Sequence, residues 1–169
     1  MTPPRPDFLP LLRELVRTYQ AFERYSAAHV QSMGLTPAQF DVIATLGNTD
    51  GMNPKQLGEK TLITKGTLTG VVDRLQSKGL VDRLPDPQDG RGQIVRLTAL
   101  GQETFEQVFP AHGVHVGRVF EGFSPADRDR AQQALQLLRQ AFERAAARDD
   151  GTGSRQPAAT IRPKSAPTP

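Results

Sequence analysis

Apolar residues Phe8, Leu12, Leu15, Tyr19 and Phe22 recur at spacings of 4, 3, 4 and 3. That is the period of one helix face, so a long amphipathic helix is expected from residue 7 to about 32. Gly34 supplies its stop. Thr36-Pro37-Ala38-Gln39 combines an N-cap, a first-turn proline and a capping-box glutamine, opening a second helix through Phe40, Ile43 and Leu46. Asn53-Pro54-Lys55-Gln56 repeats the signal for a third. Between residues 64 and 78, Leu68, Val71, Val72 and Leu75 fall within a wedge of roughly 100 degrees, the inward stripe of a half-buried helix. Lys78-Gly79-Leu80 reads as its end, with the glycine left-handed. A short strand, a loop holding Pro85 and Pro87, and a second short strand follow, the prolines being expected to prevent regular pairing. Thr98 then caps a helix over about 99–120. Pro110 lies inside it and is expected to kink or divide it, because it removes a backbone donor. Ser124-Pro125-Ala126-Asp127 opens a last helix, about 125–148, with Ala131, Ala134, Leu135, Leu138 and Phe142 on one side. Residues 149–169 lack periodicity, are rich in Gly, Ser, Pro and Thr, and are expected to be a disordered tail.

The stretch Asp89-Gly90-Arg91-Gly92 places an arginine at the tip of a glycine-bearing loop, which runs into Ile94-Val95-Arg96-Leu97-Thr98. With the helix and strand before it, this outlines a winged helix-turn-helix. The order helix, strand, Asp-x-Arg loop, strand, Leu-Thr resembles the MarR family of bacterial transcription regulators. The resemblance implies a mainly α fold with a small β-wing, in which a winged helix-turn-helix is joined to a helical dimerisation region formed by the N- and C-terminal helices. It divides the chain into an N-terminal arm (1–6), a single domain (7–148) and the tail (149–169). Within the domain, 7–34 and 99–148 are the dimerisation helices and 36–98 is the winged helix-turn-helix, with the wing at about 84–95.

Charge agrees with a polyanionic partner without requiring one. The formal net charge is +3, and between Asn53 and Thr98 eight basic residues face five acidic ones. The absence of cysteine excludes disulfides, thiol catalysis and thiolate metal sites. No apolar run approaches the length of a membrane span, and the start carries no signal-peptide pattern, so a cytoplasmic protein without a membrane partner is expected. No phosphate loop, activated nucleophile or paired-carboxylate arrangement points to an enzyme, and no cofactor is expected.

The candidate DNA-reading residues are Thr64, Lys65, Gly66, Thr67, Thr69, Gly70 and Arg74 on the outward face of the fourth helix, with Asp89, Arg91 and Arg96 in the wing. Two glycines on an exposed helix face cost about 1 kcal/mol each relative to alanine; close approach to a groove floor gives them a reason. Thr64 as N-cap leaves backbone donors free for a phosphate. Asp73 on the same face is expected to pair within the chain, with Arg74 or the wing. By the resemblance, Arg91 enters the minor groove and Asp89 holds it in position, while the recognition helix occupies the major groove of a pseudo-palindromic duplex operator bound by a homodimer.

The resemblance also implies a cleft between the dimer helices and the winged domain for a small aromatic or anionic effector. Tyr25, His29, Met33, Phe40, His112 and His115 are the side chains available there, and all three histidines of the chain are among them. The leading expectation is a repressor released by such a ligand. The alternatives are a ligand-independent architectural or anti-silencing DNA-binding protein and, less so, a metal-responsive repressor using the histidines, although no metal site is assigned.

Overall fold

The computed structural model describes residues 6–61, 63, 65–86 and 92–152, with backbone alone at 65 and 150–152. The described elements are α1 (Leu9–Ser32), α2 (Pro37–Leu46), α3 (Pro54–Lys60), α4 (Lys65–Ser77), β1 (Val81–Pro85), β2 (Gln93–Leu97), α5 (Ala99–Gly117), a 3-10 turn (Arg118–Phe120) and α6 (Pro125–Thr152). This is the mainly helical, winged architecture that the pattern predicts.

The expected caps form. Thr36 and Gln39 make a reciprocal capping box at α2, and Asn53 and Gln56 make another at α3, each with proline in the first turn. The Thr98 hydroxyl accepts from the Gly101 N–H at 3.0 Å. Gly79 adopts φ +70°, and the Leu80 N–H returns to the Leu75 carbonyl at 3.0 Å, closing α4 in a Schellman-like turn. A side chain at Gly101 would collide with the Leu80 carbonyl, so only glycine lets the first turn of α5 lie against the end of α4.

The core sits where α2, α3, α4, the sheet and the first half of α5 meet. Val42, Ile43, Leu46, Leu57, Val71, Leu75, Val81 and Val95 are buried, and Phe105 and Val108 close it from α5. All four residues of the predicted α4 stripe are buried. Each contributes about 1.5–3 kcal/mol by leaving water, and this anchors α4 while its other face stays outside.

Two expectations need correction. Pairing between the strands continues through Leu84–Ile94 and Pro85–Gln93. The Asp86 N–H donates to the Gly92 carbonyl at 2.9 Å, so Pro85 occupies the alternate, non-hydrogen-bonded position, where no ladder donor is required. Pro110 does not divide α5, which runs on to Gly117 and tightens into the 3-10 turn. Glu106, whose carbonyl loses its usual donor, is exposed like Phe109 and Pro110, so water can satisfy the freed group.

Residues from Gly122 onward form a separate compact unit. In it, α6 is capped by Ser124, whose hydroxyl donates to Asp127 Oδ2 at 2.6 Å, and it extends beyond the expected end at residue 148. Ala145-Ala146-Ala147-Arg148 propagates a helix well, and no breaker stands before Gly151. The remainder of the expected disordered tail, 153–169, lies outside the described residues, as does most of the expected arm (1–5). Leu135 and Phe142 of the predicted apolar side are exposed.

Among the described residues no helix is long and apolar enough to cross a membrane.

Candidate nucleic-acid interface and ligand cleft

With Leu68, Val71, Val72 and Leu75 turned inward, helix periodicity sends Gly66, Thr67, Thr69, Asp73, Arg74 and Ser77 outward, and all six are exposed. A Cβ added at Gly66 would meet nothing within 4 Å, and one at Gly70 would meet only the Arg74 guanidinium at 4.0 Å. Internal packing therefore gives no reason for either glycine. What they provide is a low, flat patch bordered by threonine hydroxyls and one guanidinium, which suits an external surface of hydrogen-bonding groups.

Asp73 does pair within the chain, but with Arg83 of β1 at 2.5 Å and not with Arg74. Arg83 also donates to Gln76 Oε1 at 2.8 Å. One guanidinium thus ties two successive turns of α4 to the first wing strand, a positioning role that only the strand's register discloses. Met52 adds a further tie: its N–H and carbonyl exchange hydrogen bonds with Val95 at 2.9 and 2.8 Å, using the edge of β2 that faces away from β1.

Arg96 is exposed as expected, yet its register partner is Asp82, so the charge on that sheet face is mixed. Thr64, Asp89 and Arg91 lie outside the described residues, and Lys65 is placed by its backbone as the first residue of α4.

Five of the six candidate effector residues meet. His29 stacks on His115 with ring centroids 4.0 Å apart, Tyr25 stacks on His115 at 4.3 Å, and Phe40 meets His112 edge-on at 4.6 Å. His29 Nδ1 lies 3.2 Å from His112 Nδ1, and the Ser26 hydroxyl is 3.1 Å from His112 Nε2. Met33 is the exception, packing against the core of the winged domain.

A nitrogen-to-nitrogen hydrogen bond needs one protonated and one free nitrogen, so His29 and His112 cannot both be imidazolium in this arrangement. Burial, then the charges of His29 and His115, lowers the His112 pKa; burial, then His29 and Arg118, lowers that of His115. Both shifts favour the neutral imidazole. No group of three or more His, Asp or Glu able to hold a metal ion occurs among the described residues.

Beside this cluster, α1, α2 and α5 enclose a cleft of about 800 Å³, large enough for a small aromatic molecule. Phe40 and His112 line it, whereas Tyr25, His29 and His115 stand outside the wall. Sequence reasoning missed Tyr19 and Phe22 on α1, Phe109 and Phe120 after the middle of α5, and the carboxylates Glu23 and Asp41. The α1 stripe had marked Tyr19 and Phe22 as apolar, but periodicity does not separate a dimer face from a cavity wall. Thr67 of α4 also reaches the cleft, so one side chain belongs both to the outward helix face and to the wall of the cavity.

A model of the MarR family matches residues 33–92. YkoM of Bacillus subtilis (strain 168), an uncharacterized HTH-type transcriptional regulator, is 30% identical over 131 residues, which span 78% of this chain and 83% of that protein. Among solved structures, BpsR of Bordetella bronchiseptica, whose DNA binding is regulated by 6-hydroxynicotinic acid, aligns with a TM-score of 0.70 at 27% identity over 80% of this chain and 96% of that one. A mutant MarR of Escherichia coli complexed with operator DNA aligns with a TM-score of 0.70 at 28% identity, covering 78% and 95% of the two chains.

Proposed function

The chain belongs to the MarR family of DNA-binding transcriptional regulators, and on that premise we propose that it is a homodimeric repressor of a pseudo-palindromic operator, released by a small aromatic ligand. The observation that carries the DNA-reading part is the outward face of α4: two glycines that no internal contact requires, between threonines and Arg74, on a helix whose opposite stripe is wholly buried. In this reading Lys65, Thr67, Thr69 and Arg74 meet the major groove, with Thr64 at the helix start on a phosphate. Arg91, positioned by Asp89, enters the adjacent minor groove. Arg96 contributes a weaker backbone contact, since Asp82 faces it across the strands.

Dimerisation is supported by the surface of α1. Only Val30 of its 24 residues is buried, and Leu11 and Val16, with Phe8 just before the helix, are about half exposed and stand outside the cleft wall. A contiguous apolar face of this length needs a partner, and a second copy of α1 provides one of the same composition. Release by a ligand is supported by the cleft, whose occupant would touch Thr67 and so bias the placement of α4. The protein would act in the cytoplasm, where its operator lies.

Selection from a random duplex library, followed by footprinting, tests the reading. A palindromic consensus with half-sites about one helical turn apart is expected, and Arg91→Ala should cost about 1–3 kcal/mol of specific affinity. A library that enriches no sequence would favour the ligand-independent architectural alternative.

A further inference from the structure

The walls of the cleft are aromatic and its charge is negative. Tyr19, Phe22, Phe40, Phe109 and Phe120 present ring surface to it, and Glu23 lies on the α1 side. Among the described residues Glu23 accepts a hydrogen bond from the Tyr19 hydroxyl at 3.1 Å, and no lysine or arginine forms an ion pair with it. A neutral donor leaves the carboxylate's charge in place. That charge is felt locally: the hydrogen bond to Glu23 and its negative charge raise the Tyr19 pKa. Asp41 lines the cleft as well but has an interaction of its own, so the inference rests on Glu23.

The one wall residue that could supply positive charge is His112, and its burial beside His29 and His115 opposes its protonation. It is buried, it faces His29 nitrogen to nitrogen, and His115 stands beyond. Among the described lining residues none is lysine or arginine. A carboxylate ligand would therefore enter a site with a negative group and, among the described lining residues, no lysine or arginine to answer it. A protonated amine attached to a flat ring system finds the reverse: an unpaired carboxylate, and ring faces whose quadrupole attracts cations.

Resting on the reading of this cleft as the effector site, we propose that its ligand class is the aromatic or lipophilic cation, bound through Glu23 and the surrounding rings, and not the aromatic acid.

Three naphthalene probes of nearly equal size isolate the charge: 1-naphthylmethylamine, 1-naphthalenemethanol and 1-naphthoate, each titrated calorimetrically into the full chain at pH 7. The amine is expected to bind about tenfold tighter than the alcohol, and the acid more weakly than either. Glu23→Gln, an exposed and isosteric change, should bring the amine to the affinity of the alcohol while leaving the alcohol unchanged. Gly113→Leu, placed where an added Cβ meets nothing within 4 Å but on the cleft wall, should abolish all three and so locate them. Naphthoate binding as tightly as the amine, or an amine affinity indifferent to Glu23→Gln, overturns the charge assignment while leaving the cleft as a ligand site. Binding of all three that survives Gly113→Leu, or no binding by any of them, removes the cleft reading and this proposal with it.

Discussion

Helices α1 and α4 are both amphipathic in sequence, but they end in opposite conditions. The stripe of α4 is buried throughout, with α2 and β1 packed against the helix, and Leu75 has no exposed surface at all. The stripe of α1 is half open along most of its length, with Tyr19 at 50% and Phe22 at 49% exposure. An apolar period therefore shows that a face wants covering, while the fold shows whether the same chain covers it. The winged half is a closed core with a polar reading face; the α1 half is an unfinished surface.

The largest expected difference between the halves is in chain stability. Leu75→Ala leaves a cavity in a fully packed site and should cost about 2–5 kcal/mol, seen in urea melts as a loss independent of protein concentration. Val16→Glu should do the reverse. It should leave the melt of the winged core almost unchanged but shift the equilibrium in sedimentation toward monomer, because it places a charge on the open α1 face. If both variants behave alike, the contrast between the helices is wrong.

Mild acid should act through the histidine cluster. His112 and His115 have folded-state pKa values below their ordinary 6.5, so protons bind the unfolded chain better. The stability they contribute is complete above that ordinary value and is lost as pH falls through it, levelling off below the folded values. A urea midpoint that declines between pH 7 and 5, with a shallower decline in His112→Gln, is the expected outcome; a midpoint independent of pH would show that the cluster does not hold α1 to α5. The smallest stability effect belongs to Arg83→Ala. Its bridge to Asp73 is partly solvated and should be worth no more than about 1 kcal/mol, but its loss frees the wing strand from α4. Operator affinity should then fall by more than stability does, and equal losses would reduce Arg83 to an ordinary surface charge.

Local chemistry was legible in the sequence. Thr36 with Gln39, Asn53 with Gln56, Gly79 and the α4 stripe each act through neighbours a few residues away, and each forms as read. Pro85 was misjudged, and Pro110 did not divide its helix, because what a proline costs depends on whether the freed carbonyl reaches water and which edge of the ladder the missing donor would face. Neither is local information.

The sequence by itself determined the helices, their stops, the inward side of α4 and the identity of the family, because caps, periods and the Asp-x-Arg loop are encoded within a turn or two of the chain. It also gathered the histidines into one region. Only the tertiary structure brought His29 and His112, 83 residues apart, into contact, paired Asp73 with Arg83, set Thr67 on the wall of the cleft and left Glu23 beside the rings with no ion pair among the described residues. Each of these depends on which turn of one element faces which turn of another. That register is decided by packing summed over the whole core, which no short stretch of sequence contains.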